Sequence, residues 1–203
     1  MSEKERFIEE IIHAEWIAFD QVQNEGGRAS CQDDFPTFSI MRKSQYMAWE
    51  QDMLEEYLYH FVTSLQEGRN LITEKYGRMM ESTSPQRYAQ IQAHFPTLSA
   101  QRKQIQEEII RIQVGWMEEV SLQYPKFAGN ARSIHTAEDS LYNTSYETYL
   151  RGELSTYSEE LLAMYGRFVV ALLQQGKNLA HMIMTNTANL YGYDSIADAQ
   201  TRM

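Results

Sequence analysis

The stretch KERFIEEIIHAEWIAFDQVQ, residues 4–23, decides the fold class. Phe7, Ile8, Ile11, Ile12, Trp16, Phe19 and Val22 recur every three or four residues, so one helix of about six turns carries them on a single stripe. Asn24-Glu25-Gly26-Gly27 follows, and paired glycines supply the left-handed backbone that ends helices. The same spacing recurs almost everywhere along the chain. No stretch alternates with period two for more than a few residues.

The spacing predicts one long helix over residues 37–66, or two with a bend, burying Phe38, Met41, Gln45, Trp49, Met53, Tyr57, Phe61 and Leu65. Pro36 suits a first helical turn, and Gly68 breaks the pattern. Shorter helices are expected at 70–81 and 85–93, then a helix over 100–123 with Ser99 as its N-cap. A polar loop runs from Tyr124-Pro125 to Asn143. A long helix over 144–174 follows, broken at Gly176, then a helix over 178–191 and a short cap from Asp194 to Arg202. The fold class is all-α.

The second half echoes the first. Trp16-Ile17 and Val22-Gln23 correspond to Trp116-Met117 and Leu122-Gln123 at a spacing of 100 residues. Tyr57, Leu65 and Gly68-Arg69-Asn70-Leu71 correspond to Tyr165, Leu173 and Gly176-Lys177-Asn178-Leu179 at a spacing of 108. Trp49 falls opposite Tyr157. The pattern predicts a single domain over residues 1–203: two pseudo-two-fold-related repeats at about 4–83 and 100–192, a connector at 84–99 and a cap at 193–203. The natural ligand site of such a bundle is the seam between halves.

Composition narrows the function classes. A chain of 203 residues, 43% apolar and 23% charged, is ample for one packed core. No run approaches the roughly 18 apolar residues of a membrane helix, and the charged start Ser2-Glu3-Lys4-Glu5-Arg6 is not expected to act as a signal peptide. With 28 acidic against 18 basic residues the formal charge is −10, a field that repels phosphate backbones and argues against nucleic-acid binding. One cysteine makes neither an internal disulfide nor a cysteine metal site, so a cytoplasmic setting is expected.

Several strings carry a family resemblance. They are Gly26-Gly27-Arg28-Ala29-Ser30-Cys31-Gln32-Asp33-Asp34, Thr37-Phe38-Ser39-Ile40-Met41-Arg42 with Ser44-Gln45, Gly68 to Tyr76, and Thr148-Tyr149-Leu150-Arg151-Gly152-Glu153-Leu154-Ser155-Thr156-Tyr157. In these the chain resembles the bacterial domain-of-unknown-function family numbered 4125, over essentially its whole length. The resemblance implies a compact, self-contained cytoplasmic domain and points to no particular ligand or catalytic residue.

Candidate chemistry must come from the residues themselves. The first loop gathers Arg28, Ser30, Cys31, Gln32, Asp33 and Asp34 within seven residues. Arg28 could fork onto a substrate carboxylate or phosphate. In the plainer alternative Asp33 or Asp34 caps the next helix and Arg28 ties the loop down. Cys31, beside an arginine and a helix start, has the surroundings of a nucleophile. Its base would have to be His135 from the counterpart loop, and a small buried side chain is the plainer reading.

On the long helices, Arg42, Gln45 and Trp49 share one face, as do Glu147, Arg151 and Ser155, with Tyr149 and Glu153 beside the apolar stripe. Arginines inside a bundle need anions. A bound acid would serve, and so would an internal Glu147–Arg151 pair with Arg42 answered by Asp33 or Asp34. Lys75 is a further contact candidate or a solvated lysine. Glu10-Ile11-Ile12-His13 matches a di-iron helix once, the counterpart helix has no histidine, and no metal or cofactor is expected.

The leading expectation is a protein whose polar pocket between the repeats binds, and as an enzyme would transform, a small anionic metabolite. Arg28, Arg42 and Arg151 would anchor it, Ser30, Gln32, Gln45, Tyr149 and Lys75 would contact it, and Asp34 and Glu153 would be the general acid–base pair, with Cys31 an outside candidate. The alternative is a non-enzymatic interaction module whose polar loops meet a protein partner.

Overall fold

In the computed structural model, which describes residues 1–24, 27–129 and 131–203, the chain is built of helices joined by turns and loops, with no strand among the described residues. Eleven helices are seen there: α1 (Glu3–Asp20), α2 (Phe35–Met47), α3 (Gln51–Gln66), α4 (Leu71–Thr83), α5 (Pro85–Ile91), α6 (Ala100–Gln123), α7 (Pro125–Ala128), α8 (Tyr146–Leu154), α9 (Glu159–Gln174), α10 (Leu179–Leu190) and α11 (Ile196–Arg202). Of the expected stop at Asn24-Glu25-Gly26-Gly27, Glu25 and Gly26 lie outside the described residues, and α1 already ends at Asp20.

Helix starts follow local capping chemistry. Ser2 and Glu5 form a capping box on α1, Asp34 accepts from the Thr37 amide at 3.1 Å, and Ser99 accepts from the Arg102 amide at 3.1 Å. Asn70 and Asn178 cap α4 and α10. Each also turns its amide onto the neighbouring first helix of its half, Asn70 Nδ2 to the Ala18 carbonyl at 2.8 Å and Asn178 Nδ2 to the Trp116 carbonyl at 3.0 Å. Gly68 and Gly176 precede these caps with φ of +81° and +65°, a conformation that favours glycine.

Two long predicted helices are each divided. Residues 37–66 become α2 and α3, with the break at Ala48–Glu50. Residues 144–174 become α8 and α9, which corrects the single helix that periodicity predicts. The hydroxyls of Ser155 and Thr156 donate back to the Arg151 and Glu153 carbonyls at the end of α8, while Ser158 accepts from the Leu161 amide and starts α9 afresh. From α6, Arg102 donates to the Leu154 and Tyr157 carbonyls at 3.1 and 2.6 Å, and Gln106 to Leu154 at 2.9 Å. Buried side chains thus satisfy the carbonyls that a broken helix leaves open.

Packing follows the same order in both halves. Helix α1 lies against α2, α3 and α4, and α6 lies against α8, α9 and α10. The halves join where α3 meets α9, and they exchange their fourth helices: α4 packs on α8, and α10 on α2. Trp49, Tyr57, Tyr157 and Tyr165 meet at the centre, with Trp49–Tyr165 centroids 5.4 Å apart and Tyr57–Tyr157 5.9 Å apart.

Candidate functional site

Four helices converge on the site, each presenting one face. Helix α8 offers Tyr146, Tyr149, Leu150 and Glu153 at helical spacing, and α2 offers Met41, Arg42 and Gln45 opposite. A close approach of α4 to α8 fixes one side. At Gly152 a Cβ would sit 2.9 Å from the Lys75 carbonyl oxygen and 2.8 Å from Met79 Cγ, so only glycine lets the backbones come this near. That contact sets Lys75 beside the Tyr149 hydroxyl at 2.8 Å and the Glu153 carboxylate at 3.5 Å.

Beneath the site lies a buried charge network. Arg42 forks onto Glu15, with Nε–Oε2 at 2.7 Å and Nη2–Oε1 at 2.6 Å, and reaches Glu153 at 3.3 Å. The hydroxyls of Tyr46 and Tyr57 donate to Glu15 Oε1 at 2.7 Å each, and Arg42 also contacts the Tyr46 hydroxyl. Gln45 Nε2 donates to Glu153 Oε1 at 2.8 Å. Burial alone would raise the Glu153 carboxyl. The charges of Arg42 and Lys75, with the Gln45 hydrogen bond, outweigh it and hold the group at about 2. Burial would likewise lower Arg42 and Lys75, yet the facing anions keep Arg42 above its ordinary value, and Tyr149 with Glu153 does the same for Lys75. Desolvation pushes the phenols of Tyr46, Tyr57, Tyr157 and Tyr165 up, so they remain neutral donors.

Above this network opens a cavity of about 930 Å³ bounded by α2, α6, α8, α9, α10 and the loop before α8. Its walls are mostly aromatic and aliphatic, with Tyr146, Tyr165, Ile183 and Met184 among them, and its floor is Arg42, Gln45 and Glu153. Gln113, on the wall and only 2% exposed, accepts from Tyr165 at 3.0 Å and Tyr146 at 3.4 Å, while its Nε2 has no partner. Reversing the amide would strand the oxygen instead, so one end is unpaired either way. A smaller groove of about 630 Å³ lies between α1 and α3, lined by Ile17, Phe35 and Val62.

The profile of a protein family of unknown function, DUF4125, matches residues 5–201. The chain belongs to this family. No curated protein and no solved structure matches it.

In this DUF4125 chain the structure brings Arg42, Gln45, Tyr149 and Glu153 to the cavity. Lys75 stands directly behind Tyr149 and Glu153 rather than in solvent. The first loop goes elsewhere. Arg28 is bound to Asp20 and Asp33 at 2.6 and 2.8 Å, and Asp34 is the exposed cap of α2, so neither lines the cavity. Buried Gln32 ties the loop to α1, donating to the Phe19 and Val22 carbonyls at 2.9 and 3.1 Å, and Ser30 and Cys31 are exposed on the same turn. His135 pairs with Glu118 at 3.1 Å. Arg151 pairs with Glu107 and Glu147 at 2.7 and 2.9 Å, outside the cavity wall. Arg42 is answered by Glu15 and Glu153, and not by Asp33 or Asp34, because its side chain points inward from the cap.

Sequence reading missed Glu15, Gln113 and Arg132. For the first two a signal existed. Glu15 sits among Ile8, Ile11, Ile12 and Phe19 on the buried stripe of α1, and Gln113 among Ile109, Trp116 and Val120 on that of α6. A polar side chain on an apolar stripe needs a buried partner. Among the described residues no cluster of histidine, cysteine and carboxylate side chains could hold a metal ion.

Proposed function

We propose that this protein binds a small organic molecule in the cavity between α2 and α8, with an apolar body against the tyrosine and methionine walls and a polar group toward the polar part of its lining. The 930 Å³ cavity itself carries this reading, because aromatic and aliphatic walls over a few placed polar groups, Arg42, Gln45 and Glu153, are the make-up of a small-molecule site. The charge network supports binding more than proton transfer. Its four ions, Arg42, Lys75, Glu15 and Glu153, neutralise one another, and a carboxyl held at about 2 is a weak base at neutral pH. The network therefore serves as a rigid polar floor. With its single exposed cysteine unpaired, the protein suits a reducing compartment such as the cytoplasm.

The test is the fluorescence of 1-anilinonaphthalene-8-sulfonate, which has an apolar aromatic body and one charged group, with the native protein and with Ile183→Trp. The indole fills part of the cavity. Saturable binding by the native protein that Ile183→Trp abolishes, with near-ultraviolet circular dichroism still that of a folded protein, is the expected outcome. Equal binding by both proteins refutes the proposal.

A further inference from the structure

We infer that the ligand of this cavity is an amphipathic monocarboxylate, its carboxylate held at the rim by Arg132 and the Tyr149 hydroxyl and its apolar body against Met41, Ile183 and Met184. The inference rests on the small-molecule reading above and names the class. Its first support is charge. Arg42 and Lys75 are matched within the floor by Glu15 and Glu153, so the floor offers no net attraction to an anion. At the rim Arg132 differs. Its guanidinium lies 4.9 Å over the Tyr149 ring and donates to the Thr144 carbonyl at 3.3 Å, and no carboxylate partners it among the described residues. This exposed, unmatched cation is available to one negative charge, and its planar fork suits a carboxylate.

The second support is the direction of a proton. Lys75 has only donors, so its 2.8 Å contact uses the Tyr149 oxygen as acceptor. The phenol proton of Tyr149 must then point to another partner, and Tyr149 lines the cavity beneath Arg132. Two donors, one charged, thus stand at one end of a chamber whose walls are mostly aromatic and aliphatic. A second carboxylate at the far end of the ligand would lose its hydration against a floor whose charges are already matched, which disfavours dicarboxylates.

The experiment measures binding of octanoate, 4-phenylbutyrate, octanamide and suberate by titration calorimetry to the native protein, Arg132→Gln and Tyr149→Phe. Octanoate and 4-phenylbutyrate separate aliphatic from aromatic bodies. A charge-assisted hydrogen bond contributes roughly 10- to 100-fold in affinity. The expected result is that at least one monocarboxylate binds that much more tightly than octanamide and suberate. Arg132→Gln, a change at an exposed residue, should erase the preference without altering octanamide binding, and Tyr149→Phe should weaken it. Octanamide binding as tightly as octanoate, or a preference that survives Arg132→Gln, overturns the inference and leaves the small-molecule reading standing. Failure of all four probes to bind the native protein counts against both.

Discussion

Replacing Glu153 with glutamine keeps the shape of the side chain and removes its charge. In the folded protein the carboxyl is held at about 2 against an ordinary value of 4.5, and the group is 4% exposed, so solvent screens little of the effect. At about 1.4 kcal/mol for each tenfold change, that displacement corresponds to about 3 kcal/mol of stability. The folded value is the lower one, so the contribution is complete above pH 4.5 and is lost as pH falls toward 2. Below that Glu153 is protonated and nearly isosteric with glutamine. Glu153→Gln should therefore be less stable than the native protein by about 3 kcal/mol at pH 7, or roughly 6–12 °C in Tm for a chain of this size. The gap should close in acid. Urea unfolding followed by circular dichroism, at steps from pH 7 to pH 2.5, reads both proteins. A gap that is the same at pH 3 and pH 7, or absent at pH 7, would refute the reasoning, because the stabilisation would then not come from the charge facing Arg42 and Lys75.

Other outcomes follow from the same contacts. Gly152→Ala places a methyl group against the Lys75 carbonyl and Met79, and should lower stability by about 1–3 kcal/mol in chemical denaturation despite the better helix propensity of alanine. Asn70→Ala and Asn178→Ala each remove a cap and a bond to a neighbouring helix, so the two losses should be alike, at about 1–2 kcal/mol each by thermal unfolding. A loss at one position alone would show that the two turns are not equivalent. Gln32→Ala unties the first loop from α1 and should speed hydrogen exchange at the Ala29 amide while leaving probe binding in the cavity unchanged.

Much of the architecture was legible because helix formation is governed by neighbours. The 3.6-residue stripe marked α1 and α6, and Ser99, Asn70, Asn178, Gly68 and Gly176 marked ends that the structure places within a few residues. The site was half legible. Arg42, Gln45, Tyr149 and Glu153 stood out as polar residues near apolar stripes, and all four reach the cavity. The dense polar loop at 28–34 drew attention through composition alone. There Asp34 serves a cap, Gln32 a tether and Arg28 two exposed carboxylates, which is the chemistry a loop uses to hold itself together.

What the sequence determined by itself was therefore short-range: the all-α class, the helical stripes and most of the caps, since periodicity and capping act over four or five residues. Only tertiary structure decided the rest. The partners of Arg42 lie 27 and 111 residues away in Glu15 and Glu153, and the break between α8 and α9 is sealed by Arg102, 52 residues upstream of Leu154. The cavity itself corresponds to no sequence pattern. It is the space that side chains from α2, α6, α8, α9 and α10 leave unfilled, and its volume exists only once those helices have packed.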